Sequence, residues 1–182
     1  MSEQVYEPDR ADHGLLEALR IEGLQVDACY QCLRCAAGCP MLPFMDIAPN
    51  KIIRMLQYGL EQQVLSSNAI WMCASCQTCT TRCPNEVDIA HMMDFLRQEA
   101  IAQGIKCPEP TVMKFHRAFL KGIRRGRVHE LSMLMRYKLA TGRFSDDMKL
   151  GMRMFSRGRI KLMPPKRRAH EEIKRMFRKA EK

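Results

Sequence analysis

Apolar positions along this chain recur at spacings of three and four, and nowhere do they alternate strictly enough to argue for a strand. Gly14 to Leu24 (GLLEALRIEGL) predicts a short helix that stops near Gly23 or Leu24. After Pro43, the run DIAPNKIIRMLQYG predicts a second helix with Pro49 in its first turn and Gly59 just past its end. Proline's missing N–H costs nothing in a first turn, and glycine tolerates the left-handed cap. Ile52, Ile53, Leu56 and Met55 give this helix its apolar side. The segment LEQQVLSSNAIWM, Leu60 to Met72, predicts one short turn. The clearest helix is VDIAHMMDFLRQEAIAQG, where Ile89, Met92, Met93, Leu96 and Ala100 share a face. Asp88 can cap its start and Gly104 its end.

The pattern changes at CPEP, Cys107 to Pro110. Beyond it, helical periodicity returns near 111–124, 128–140, 146–156 and 168–180. Val112, Phe115, Phe119 and Ile123 form a narrow stripe on the first of these, and Pro164 and Pro165 precede the last. The expected fold class is therefore all-α, divided into residues 1–107 and residues 108–182.

Charge divides the chain at the same place. Residues 1–107 hold 8 Lys and Arg against 13 Asp and Glu, a net of −5. Residues 108–182 hold 22 against 7, a net of +15. An acidic front is joined to a strongly basic back. The basic helices carry too much charge to pack only on one another, so the back half predicts an arm that docks on a partner by charge. A nucleic-acid role fits less well, because the region shows no binding module and little aromatic interleaving for base stacking. Peripheral membrane contact is the remaining option for helices that mix Met, Phe and Arg.

The N-terminus MSEQVYEPDR lacks the basic start and apolar core of a signal peptide, and no run of about 18 apolar residues exists to span a bilayer. A cytoplasmic location is expected. That compartment keeps thiols reduced, so the nine cysteines are not expected to form disulfides.

Eight of the nine fall into two copies of C-x2-C-x2-C-x3-C-P. These are CYQCLRCAAGCP, Cys29 to Pro40, and CASCQTCTTRCP, Cys73 to Pro84. Three cysteines at a spacing of three let one tight loop present three thiolates to a compact cluster. The proline turns the chain away after the fourth. A zinc site would need two separated pairs and would leave the third cysteine of each group misplaced. A thioredoxin-type thiol catalyst needs one C-x-x-C on a strand–helix unit, which is absent. A cubane iron–sulfur cluster takes four thiolates, and in two-cluster ferredoxins with this spacing the fourth cysteine ligates the other cluster. Two [4Fe–4S] clusters are expected, one on Cys29, Cys32, Cys35 and Cys83, the other on Cys73, Cys76, Cys79 and Cys39.

Cys107 stands outside both motifs and reads as a thiol near a turn. His13, His91, His116, His129 and His170 show no ligand spacing. Trp71, just before Cys73, is expected to cover one cluster from water. No dinucleotide fingerprint, P-loop or nucleophile elbow is present. No catalytic residue is therefore assigned; sites saturated by four thiolates pass electrons rather than bind substrate.

The paired motifs, the helix beginning DIAPNKII and the segment VDIAHMMDFLR together resemble the HdrC-type iron–sulfur subunit of the heterodisulfide reductase family. They are similar, more distantly, to the helical cluster domain of succinate dehydrogenase and fumarate reductase iron–sulfur subunits. The resemblance covers roughly residues 12–105 and implies an α-helical ferredoxin domain. It also implies an electron-transfer role between a flavin-containing subunit of the HdrA type and an HdrB-type catalytic subunit bearing Cys-Cys-Gly motifs. This chain has no Cys-Cys-Gly, so it is not expected to be the catalytic one. A relay subunit of a fumarate-reductase-like enzyme and a free-standing ferredoxin are the alternative readings. A nucleic-acid-binding iron–sulfur protein is the more remote one.

Overall fold

The structure is a computed structural model that describes residues 12–125, 130–142, 148–159 and 170–180. Among these residues it is all helix and turn, with no strand. The backbone divides into two compact units, Met1–Glu109 and Pro110–Lys182.

In the first unit, α1 (Gly14–Ile21) leads to the first cysteine loop, which contains the one-turn helix α2 (Arg34–Ala37). Then come α3 (Pro49–Gln57), α4 (Glu61–Ser66) and α5 (Ala69–Met72). The second cysteine loop holds α6 (Thr78–Arg82), and α7 (Ile89–Ala102) follows it. The long helices α3 and α7 lie where their apolar periodicity and caps place them. Pro49 opens α3, and the Asp88 carboxylate accepts the His91 N–H at the start of α7. Gly59 and Gly104 end these helices with φ of 69° and 70°, a region that costs a side-chain-bearing residue.

The core lies where α3, α4, α5 and α7 meet. Ile52, Ile53, Leu56, Val64, Leu65, Ile70, Met92 and Leu96 are fully buried there. Each such side chain contributes on the order of 1.5–3 kcal/mol by leaving water. Leu19 of α1 is fully buried as well.

Three details depart from the sequence pattern. Helix α1 stops at Ile21, with Gly23 at φ 78° just beyond it. The segment 60–72 forms two short helices rather than one turn, because Val64 and Leu65 on α4 and Ala69, Ile70 and Trp71 on α5 all reach the core. Trp71 is accordingly packed in that core and lines neither cysteine-lined cavity described below, so it does not form the water cover expected of it.

Glu61 opens α4 and is buried, and its carboxylate accepts the Leu15 N–H at the start of α1. Burial raises its pKa above the usual carboxylate range. The folded state thus binds that proton more tightly than the unfolded state, so stability falls as pH rises through the raised pKa. Glu61→Gln keeps the acceptor and removes the charge. It is expected to abolish this slope in urea unfolding as pH rises from about 4.3, the ordinary Glu value. Glu61→Ala, which orphans the N–H, should cost about 1–2 kcal/mol.

In the second unit, α8 (Pro110–Arg124) packs against α9 (Glu130–Thr141) and α11 (His170–Ala180); α10 (Met148–Ser156) lies between the last two in sequence. Phe115 stacks on Phe119 at 6.3 Å between ring centroids and meets Tyr137 edge-on at 5.9 Å. Arg124 lies over the Phe177 ring. No side chain of α8 is fully buried, and Leu134, Leu139, Met152, Phe155 and Met176 are exposed. The sequence-predicted starts of the second, third and fourth back-half helices, at 128, 146 and 168, lie outside the described residues.

Candidate metal centre

The two cysteine loops share one backbone design. Cys29 and Cys73 are extended, with φ/ψ of −74°/115° and −59°/120°. Two residues on, Gln31 and Ser75 are left-handed, with φ of 65° and 49°. Two further on, Leu33 and Gln77 are left-handed again, at 65°/0° and 62°/0°, and each starts the loop's short helix. Four non-glycine residues in this region cost about 1–3 kcal/mol each, and such strain collects at functional sites. Turns that mix right- and left-handed residues gather backbone N–H groups into concavities that suit anions, iron–sulfur sites included.

Neighbouring helices hold each loop in this shape. In the first loop, the Gln31 amide donates to the Asn50 carbonyl at 2.9 Å and accepts from the Asn50 side chain at 3.1 Å. In the second, the Ser75 hydroxyl donates to Asp94 at 3.1 Å, and Arg97 donates to the Cys73 carbonyl at 3.0 Å. Arg97 also pairs with Asp94 at 3.1 Å. The two loops are thus alike in backbone but differ in support, neutral amides on α3 against an ion pair on α7.

Hydrogen bonds also tie the end of each loop to the start of the other. Beyond Cys39, Asp46 accepts the N–H groups of Asn68 and Ala69 at 2.8 and 3.0 Å, just before Cys73. The Asp46 N–H returns a bond to the Asn68 side chain at 2.9 Å. Beyond Cys83, the Asn85 side chain donates to the Ala28 carbonyl, next to Cys29. Helices α2 and α6 pack together between these ties.

Two cavities result. Cys29, Cys32, Cys35 and Cys83 line the first, with Ile53, Val87 and Ile89 among their apolar neighbours. Cys39, Cys73, Cys76 and Cys79 line the second, with Met41, Met45 and Met93. Ile89 lines both, so the two cavities share a wall there. In each cavity, three thiols come from one motif and the fourth from the other. The sequence places the same eight residues together, in the same two sets.

No carboxylate or imidazole lines either cavity. An all-thiolate set with an apolar wall suits soft, sulfur-bound iron and repels hard cations. Among the described residues, no group of three or more His, Cys, Asp or Glu side chains is placed to hold a single metal ion.

Burial pushes the Cys35 thiol up to about 11 and raises Cys73 and Cys79 too. The Thr78 hydroxyl lowers the exposed Cys76. Burial thus favours the protonated form of these thiols, and a metal that bound there would have to displace those protons. The Val87 N–H lies 3.3 Å from the Cys83 sulfur, and the Gln31 amide 3.5 Å from that of Cys29. Bonds of this kind tune the potential of a sulfur-ligated centre. Sequence reading missed Gln31, Asn50, Asp46, Asn85 and Arg97, because single polar residues carry no spacing signal.

Cys107 lines neither cavity; its thiol is half-buried and donates to the Glu109 carbonyl at 3.2 Å. None of His13, His91 and His116 lines either cavity, while His129 and the His170 side chain lie outside the described residues. Among the described residues, no helix is long and apolar enough to cross a membrane.

Comparison with known proteins agrees with this geometry. Residues 25–87 match the 4Fe-4S dicluster domain. The chain is 40% identical over 83 residues to the iron-sulfur C-subunit of CoB–CoM heterodisulfide reductase from Methanopyrus kandleri, covering 46% of this chain and 43% of that protein. It is 35% identical over 95 residues to the C-subunit of ferredoxin:CoB-CoM heterodisulfide reductase from Methanosarcina mazei, covering 52% and 58%. It is 34% identical over 86 residues to the C-subunit of H(2):CoB-CoM heterodisulfide,ferredoxin reductase from Methanothermobacter thermautotrophicus, covering 47% and 46%. The chain spans about half the length of the curated relatives it matches.

Proposed function

We propose that this chain, whose residues 25–87 match the 4Fe-4S dicluster domain, is the electron-relay subunit of a heterodisulfide-reductase-type complex. Cys29, Cys32, Cys35 and Cys83 hold one [4Fe–4S] cluster; Cys73, Cys76, Cys79 and Cys39 hold the other. When bound, such clusters accept and release single electrons at potentials set by charge, hydrogen bonding and solvent access. The observation that carries this reading is the pair of four-thiol cavities sharing one wall at Ile89.

The chain's own part is structural. It supplies every ligand, so no coordination position is left for substrate. The Ile53, Val87, Ile89 and Met93 side chains keep water from the inner sides of both cavities. The relay joins a flavin-containing subunit to a catalytic protein with Cys-Cys-Gly motifs, and it works in the cytoplasm, where the thiols stay reduced. Residues 1–107 form the cluster domain and residues 108–182 the docking arm. The exposed apolar and basic side chains of α8 to α11 support that arm's role.

The test is anaerobic purification of the tagged chain from its own cells. About eight iron and eight sulfide per chain are expected, with spin-coupled EPR signals on reduction. A flavoprotein and a Cys-Cys-Gly protein should co-purify. Zinc without sulfide would overturn the cluster reading, and a cluster-loaded chain that purifies alone would overturn the relay reading.

A further inference from the structure

We propose that the first cysteine loop, together with Arg82 of α6, is the face through which electrons cross to one of the two partner proteins. That partner presents carboxylates around an apolar contact. The inference rests on the relay reading and names where the relay is touched.

The two loops serve as each other's control. Backbone and cysteine positions match, so the differences between them lie in the side chains they present. Tyr30, Leu33 and Arg34 of the first loop stand where the second has Ala74, Gln77 and Thr78. Tyr30 is 60% exposed and Leu33 55% exposed. Leu33, at a left-handed φ, lines the first cavity with part of its side chain and leaves the rest on the surface. The second loop presents only small or polar groups at these places.

Arg34 on α2, Arg82 on α6 and Cys83 line one open surface cleft. Cys83 also lines the first cavity, so whatever fills the cleft touches a residue of the first cluster's ligand set. Both arginines are exposed, and among the described residues neither has an ion-pair partner, whereas Arg20 and Arg97 are both paired. Gly38 lets Arg82 lie close over the backbone of the first motif; a Cβ there would meet its guanidinium. Exposed Tyr and Arg beside an aliphatic contact make up the composition of interface anchors, and charge complementarity selects an acidic rim opposite.

The experiment compares amide hydrogen exchange in the full chain alone and in the co-purified complex, both with clusters loaded. Residues 30–34 and 81–84 should exchange at least about tenfold more slowly in the complex. Arg34→Glu with Arg82→Glu should weaken the partner's binding by roughly tenfold or more, with iron content unaltered. Protection of 74–78 with 30–34 exchanging as in the free chain would overturn the proposal. So would a charge-reversed chain that keeps wild-type affinity. A loaded wild-type chain with no partner at all would instead bring down the relay reading itself, and this docking face with it.

Discussion

Cys39→Ala is expected to remove the cluster of the second loop, not that of its own loop. Iron should fall from about eight to about four per chain, or to about seven if a three-iron remnant survives. The spin coupling between neighbouring reduced centres should vanish. The reason is geometric. Cys39 lines the cavity of Cys73, Cys76 and Cys79, while Cys29, Cys32 and Cys35 face Cys83. The Asp46 bonds to Asn68 and Ala69 and the Asn85 bond to Ala28 hold each loop's end beside the other's start. Pairs of substitutions make the test strict. Cys39→Ala with Cys73→Ala should lose no more than either alone, because both would act on one cluster. Cys39→Ala with Cys29→Ala should lose both. Non-additive loss of this kind is the signature of residues that act as one unit. If Cys39→Ala were instead redundant with Cys29→Ala, each loop would close its own cluster and the crossed assignment would fail.

The eight cysteines that line the two cavities were legible in the sequence because thiols are few and their spacing is regular. The long helices were legible for a similar reason: Pro49, Gly59, Asp88 and Gly104 mark ends that local chemistry alone can set. Where tertiary packing decided, the pattern was silent. Helices α4 and α5 exist because Val64, Leu65 and Ile70 are drawn into a core formed by distant residues. Trp71 followed them inward, although its place beside Cys73 suggested a cluster lid. The short helices α2 and α6 carry no periodicity at all, since four or five residues make barely one turn. The left-handed Gln31, Leu33, Ser75 and Gln77 break the usual preference for glycine, so no composition signal announces them.

Those same features make the loops dependent on what they bind. Removing iron with a chelator and a mild oxidant is expected to release residues 29–39 and 73–83 to nearly unprotected hydrogen exchange. Residues 52–56, 64–65 and 92–100 should keep most of their protection. Helices of four and five residues do not stand alone in water. Each loop also carries two left-handed residues at about 1–3 kcal/mol apiece, and the thiols that ring each cavity make no bond strong enough to offset that. The side-chain supports, Asn50 with Gln31 and Arg97 with Ser75, contribute only about 1–3 kcal/mol each. On the proposed reading, metal–thiolate bonds would add what these supports lack, and metal binding would be local folding. The hydrophobic core is different in kind, because Ile52, Ile53, Leu56, Val64, Leu65, Met92, Met93 and Leu96 bury one another without reference to the cavities' contents. Far-UV circular dichroism should therefore fall only slightly on iron removal, by about the share of α2 and α6, while the exchange map changes sharply. Loops that stayed protected without iron would mean a preformed site whose strain is offset by packing. Loss of protection throughout α3 and α7 would mean that the clusters nucleate the whole unit. Between those outcomes, the geometry favours a rigid helical frame whose two cysteine loops fold only around their metal.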